Sequence, residues 1–147
     1  MNADTTQSPN ATMLREPPLT SQALPALPAI VLDTNVVLDW LLFGDPSVAA
    51  LAAAITQRRV RWVATALMRS EFAAVLRSGL AATRDVDPDA ALAAWDTHVG
   101  HCGQPQALPG CVALRCTDAD DQMFLDLAHA AGARWLVSRD RAVLRLA

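Results

Sequence analysis

Hydrophobic residues gather without alternation at positions 29–32 (AIVL), a short run rich in β-branched side chains. A run of this kind suits a strand buried on both faces of a parallel sheet. Asp33 ends it, and residues 35–43 continue with helical spacing until Gly44, Asp45 and Pro46 break the chain. Pro46 can start the next helix. That helix is alanine-rich and closes on Arg58 and Arg59, whose charge favours a helix C-terminus. Residues 61–65 (RWVAT) read as a second strand. Residues 66–77 read as a helix, with Leu67, Phe72, Val75 and Leu76 as its apolar stripe. Residues 79–85 form a turn region.

Asp87 and Pro88 open another helix as cap and first residue, and it runs through Trp95 and His98. A Gly- and Pro-containing loop leads to a strand at 111–115 (CVALR). A helix capped by Asp118 follows through residue 131, and Gly132 stops it. Residues 134–138 (RWLVS) form a last strand, and Asp140 sits at its exit before a closing helical turn. Strands alternate with helices throughout. This pattern predicts an α/β domain over residues 29–147, with a mostly parallel sheet, right-handed crossovers and helices on both faces. Residues 1–28 hold more than half of the nine prolines and no sustained apolar period, and are expected to form a flexible leader. They lack the basic and apolar regions of a signal peptide. No later run reaches the ~18 apolar residues of a membrane span, so no membrane partner is expected.

Composition narrows the chemistry. There is no lysine, and all twelve basic residues are arginines. A P-loop lysine and a lysine Schiff base are thereby excluded. Cys102, Cys111 and Cys116 are odd in number and follow no Cys-x-x-Cys pattern. With no secretory segment, this predicts a reduced, cytoplasmic protein. His98, His101, Cys102 and Cys111 lack the spacing of a zinc site. The net charge of −3 opposes a bulk electrostatic nucleic-acid binder.

The acidic residues change that last conclusion. In an open parallel sheet, ligands bind beyond the carboxyl ends of the strands. Asp33 and Asp140 follow the first and last strands, and Asp118, Asp120 and Asp121 precede a helix. Glu71, the only glutamate besides Glu16, lies early in the helix after the second strand. Each aspartate alone is explained as a helix cap or a first-turn acid. Four positions from four separate units at one sheet edge ask for more. Carboxylates in one pocket repel, and a hard divalent cation such as Mg²⁺ or Mn²⁺ is the simplest compensation. Such an ion can activate water and steady an in-line displacement at phosphorus. With Asp33, Glu71, Asp121 and Asp140 set against an ion, the charge of −3 becomes +1. Arginines are then left to meet phosphates.

Three segments carry a family resemblance. IVLDTNVVLDWLL, ATALMRSEFAAVLR and CTDADDQMFLDLAHAAGARWLVSRDRAVL, in that order, resemble the motifs of the PIN-domain family of metal-dependent ribonucleases, which includes the VapC-type toxins. The likeness spans about residues 29–146 and is nearest to a toxin subgroup with an Asp-Pro-x-Asp-Asp segment. Ala119 stands in place of that proline and Gln122 in place of the last aspartate. The resemblance implies a three-layer sandwich around a sheet of four to five strands. It also implies Asp33, Glu71, Asp121 and Asp140 as catalytic ligands of Mg²⁺ or Mn²⁺, with Asp118 nearby. Thr34 and Asn35 would shape the first loop, and Ser138 would bond a carboxylate or water. An RNA substrate, a separate antitoxin and a homodimer are the implied partners. Asp120 is set aside as a solvated acid, pointing about 100° from Asp118 and Asp121 on a helix. Family members continue into a further short strand where this chain stops, so the sheet is expected to lack an edge strand or to have that edge covered by a partner.

Two other readings compete. A catalytically silent PIN-like interaction module has no reason to keep the four acids together. A haloacid-dehalogenase-like phosphatase needs a second acid two residues after the first, where Asn35 stands.

Overall fold

The computed structural model of the chain describes residues 26–80, 86–101 and 115–146. Among these residues, four parallel strands form one sheet in the order β3-β2-β1-β4. They are β1 (Ala29–Leu32), β2 (Arg61–Ala64), β3 (Gly100–His101) and β4 (Trp135–Val137). The helices are α1 (Thr34–Leu41), α2 (Ala49–Thr56), α3 (Ala66–Val75), α4 (Pro88–His98), α5 (Gln122–Ala130) and α6 (Arg141–Leu144). A 3₁₀ turn at Pro46–Val48 leads into α2, and a π-type turn at Leu76–Leu80 follows α3.

Every residue of β1 is buried. Successive strand side chains point to opposite faces, so helices must cover both. On one side Trp62 of β2, 0% exposed, gathers the helices. Its ring lies 5.8 Å from that of Trp40 on α1 and 4.6 Å from that of Trp95 on α4. Trp95 stacks in turn on Phe72 of α3 at 5.0 Å. Truncating Trp62 to alanine would cost on the order of 3–5 kcal/mol. Helix α5 buries Phe124 and Leu127 and packs on β1 and β4.

Local chemistry sets the helix starts. Asp33, Thr65, Asp87 and Asp140 cap α1, α3, α4 and α6, each side chain accepting an early amide of its helix. Gly132, at φ 55°, ends α5. Its amide bonds the His129 carbonyl at 3.2 Å, and the Ala133 amide bonds that of Ala128 at 2.8 Å. This is the paired C-terminal closure that a left-handed residue permits.

The α/β class and the parallel sheet agree with the expectation from sequence, and four of the expected four to five strands are seen. Several details differ. The third strand is the short β3, directly after α4, where a loop was expected. The expected strand at 111–115 lies outside the described residues except for Arg115. Of the expected stripe on α3, Phe72 and Leu76 are buried and Val75 is half-buried against the core, whereas Leu67 is exposed and Met68 and Ala73 are buried beside them. Leu67 and Met68 are adjacent and both apolar, so composition alone did not choose between them. Arg58 and Arg59 fall beyond the end of α2 rather than in its last turn. Among the described residues no single helix is long and apolar enough to cross a membrane.

Candidate functional site

Asp33 leaves β1 at its carboxyl end with its amide still bonded to the Val137 carbonyl of β4, at 3.0 Å. Its side chain is 2% exposed and fully engaged. Oδ1 accepts the Val36 amide at 2.8 Å, which caps α1. Oδ2 accepts the Ser138 hydroxyl and, at 3.0 Å, the Arg139 amide. The Ser138 Oγ also accepts the Asp140 amide at 2.9 Å, and Asp140 Oδ1 accepts the Ala142 amide at 2.6 Å. One hydroxyl therefore joins Asp33 to Asp140, as the expected carboxylate contact of Ser138 requires.

Glu71 and Asp121 are placed differently. Glu71 Oε2 and Asp121 Oδ2 are buried atoms without a hydrogen-bond partner. Burial pushes the Glu71 carboxyl above its usual range, and the charges of Asp120, Asp121 and Asp33 push it further. Burial likewise raises Asp121, with repulsion from Asp140, Asp118, Asp33 and Asp120 added. The structure thus brings Asp33, Glu71, Asp121 and Asp140 into one electrostatic cluster, with Asp118 at its border.

The approach to α5 corrects two expectations. Residues 118–121 are a turn, not the first turn of the helix. Asp118 does not cap α5; its Oδ1 accepts the Asp120 amide at 3.0 Å. Asp121 occupies the cap position with helical backbone angles and no capping bond, which leaves its carboxylate free for the cluster. Asp118 and Asp121 therefore do not share a helical face, and the angular argument against Asp120 does not apply. Asp120 is exposed, yet its charge is the first of the three that raise Glu71. Gln122 bridges the turn to the helix. Its Oε1 accepts the Cys116 amide at 2.8 Å, and its Nε2 donates to Asp126 at 2.9 Å. A neutral amide can accept and donate at once, which an aspartate could not.

Arg139 is a residue that no motif or spacing singled out. Its guanidinium reaches back to the end of α1 and the 3₁₀ turn. Nε stands 2.7 Å from Asp39 Oδ2, and Nη2 lies 3.4 Å from Asp45 Oδ2 and 2.5 Å from Ser47 Oγ. The Asp39 contact is an ion pair rather than a well-directed hydrogen bond, and that buried oxygen has no directed donor. Nothing in residue type marks a contact between positions 39 and 139.

Carboxylates with buried, unpartnered oxygens and raised pKa values suit a hard cation, which would supply the missing positive charge. Among the described residues, no three His, Cys, Asp or Glu side chains are already arranged as a closed ligand set. A family model described as PIN domain matches residues 29–142. Comparison with curated proteins and with solved structures gives no match.

Proposed function

Because the chain belongs to the PIN-domain family, whose members are in general nucleases, we propose that it is an endoribonuclease that hydrolyses RNA phosphodiesters with Mg²⁺ or Mn²⁺. The observation that carries this reading is the pair of buried, unpartnered oxygens on Glu71 and Asp121 among four further aspartates. Glu71, Asp121, Asp33 and Asp140 would hold the ion, with Asp118 at the border. When bound, the ion would stabilise negative charge at a phosphodiester and make an attacking water more acidic. The chain's own part is to hold its acids in place. Ser138 and the Arg139 amide fix Asp33, the α6 amide of Ala142 fixes Asp140, and the turn before α5 leaves Asp121 uncapped.

The resemblance of the three motifs to VapC-type proteins supports a toxin, neutralised by a separate antitoxin and acting in the cytoplasm. A homodimer is part of the same proposal, and the exposed Leu67, Trp135 and Leu144 supply apolar surface for protein contacts. The phosphatase reading is weakened further by the bonds at Asp33. Both its oxygens accept protein donors, whereas a nucleophile must face its substrate.

RNA cleavage measured with Mg²⁺, with Mn²⁺ and with EDTA tests the proposal. Cleavage should vanish with EDTA and in Asp121→Asn and Glu71→Gln. Activity that survives both the chelator and these substitutions would remove it. A folded protein that takes up no Mn²⁺ at millimolar concentration would favour the silent module instead.

A further inference from the structure

We propose that Arg139 is a positioning residue, a latch that ties the segment between β4 and α6 to the end of α1 and so fixes the donors that hold Asp33. The inference deepens the nuclease reading and rests on it for its kinetic part. Residues 138–140 belong to no regular element, yet they supply the Ser138 hydroxyl and the Arg139 amide to Asp33 Oδ2 and lead directly into Asp140. Three anchors hold the Arg139 side chain: Asp39 at 2.7 Å, Asp45 at 3.4 Å and Ser47 at 2.5 Å. Asp39 lies on α1, which Asp33 caps, and Asp45 and Ser47 are the cap and second residue of the 3₁₀ turn. The same carboxylate is therefore gripped from the β4 side by a loop that is itself fastened to the far end of α1.

The charge pattern separates this role from RNA contact. Arg139 faces two carboxylates, and Asp39 is only 14% exposed in its side chain. With its guanidinium already engaged by these groups, Arg139 has fewer donors left for a phosphate. Five planar donors on one group are what several acceptors at different places require, so a lysine point charge can replace the latch only in part.

Asp39→Asn is the cleaner probe, because Arg139→Ala leaves the Asp39 carboxylate without its cation. Two measurements are needed: hydrogen exchange of the residue-139 amide in the metal-free protein, and kcat and KM for RNA with Mn²⁺. Asp39→Asn and Arg139→Ala should each speed that exchange by up to about tenfold, the loss of one net hydrogen bond. Each should lower kcat by about 10- to 100-fold with KM unchanged, the scale of a misplaced site group. The double variant should be no worse than Arg139→Ala, since both break one link. Arg139→Lys should recover part of kcat. Unchanged protection of the amide overturns the proposal. So does a loss that appears in KM and in the salt dependence of RNA binding, which would make Arg139 an RNA contact. A wild-type protein that does not cleave RNA defeats the nuclease reading, while the exchange measurement still decides whether the latch exists.

Discussion

Ser138 and Asp33, 105 positions apart in sequence, form one hydrogen-bonded unit at the carboxyl edge of the sheet. The hydroxyl donates to Asp33 Oδ2 and accepts the Asp140 amide, so it serves two acids that follow different strands. Ser138→Ala strips a donor from a buried carboxylate and an acceptor from a half-buried amide. The expected loss is on the order of 1–3 kcal/mol, read as a lower urea midpoint at constant m-value. Ser138→Thr keeps the hydroxyl and should retain most of it. Equal stability of the alanine and wild-type proteins would show that the unit contributes nothing.

Acids of the same cluster should respond to neutralisation with opposite signs. Asp33 is satisfied on both oxygens and caps α1, so Asp33→Ala should cost about 1–2 kcal/mol for the cap, with more for the abandoned donors. Glu71 and Asp121 each hold a buried, unpartnered oxygen among like charges. Glu71→Gln and Asp121→Asn should therefore raise the thermal midpoint of the metal-free protein while removing activity. This is the stability–activity opposition of a site built for a ligand. A lower midpoint in both would mean that their carboxylates are structural.

Much of this arrangement was legible in the chain. Apolar runs ending in Asp33 and near Asp140, with Glu71 early in the helix after the second strand, identify one sheet edge because strand direction and crossover rules leave little freedom. What was not legible depends on contacts between distant segments. The turn at 118–121 and the helix it resembles share the same acidic composition, and only the Asp118–Asp120 bond separates them. Leu67 and Met68 are both apolar, and burial in the core selects the second. The two-residue β3 carries no strand signal of its own; Gly100 and His101 pair because Val63 and Ala64 stand beside them.

Arg58 offers a test of backbone strain away from the site. It takes φ 53°, alone in positive φ among the described non-glycine residues. Its amide bonds the Ile55 carbonyl at 2.9 Å, and the Arg59 amide bonds that of Ala54 at 2.8 Å. Arg58 thus occupies the place that glycine takes after α5. A side chain there costs roughly 1–2 kcal/mol, partly offset because glycine loses more entropy on folding. Arg58→Gly should stabilise the protein by about 0.5–1 kcal/mol, and Arg58→Ala should not. Equal effects of the two would place the cause in the arginine side chain rather than the backbone.

The raised carboxyls at Glu71 and Asp121 fix the sign of a pH dependence. Their ordinary values are 4.5 and 3.8. Below these both folded and unfolded chains are protonated, and the groups contribute nothing. As pH rises, the unfolded chain releases these protons first while the folded chain retains them. Stability must then fall until the raised folded values are passed. Asp45 and Asp96 are lowered, chiefly by Ser47 and Arg69 respectively, and act in the opposite sense below 3.8. Asp96 is exposed and Asp45 is partly exposed at the surface, so their effect is screened. The metal-free protein should therefore lose thermal stability as pH rises from about 4.5, the ordinary Glu71 value, towards neutrality. Glu71→Gln combined with Asp121→Asn should flatten that slope. A cation binds the deprotonated acids, so millimolar Mn²⁺ should restore the midpoint near neutral pH and do little in acid. At a hundredfold excess over its Kd the gain is about 2.7 kcal/mol. Differential scanning fluorimetry across pH, with and without Mn²⁺, measures all three effects. A cation shift of the same size in the double variant would place the ion elsewhere on the protein.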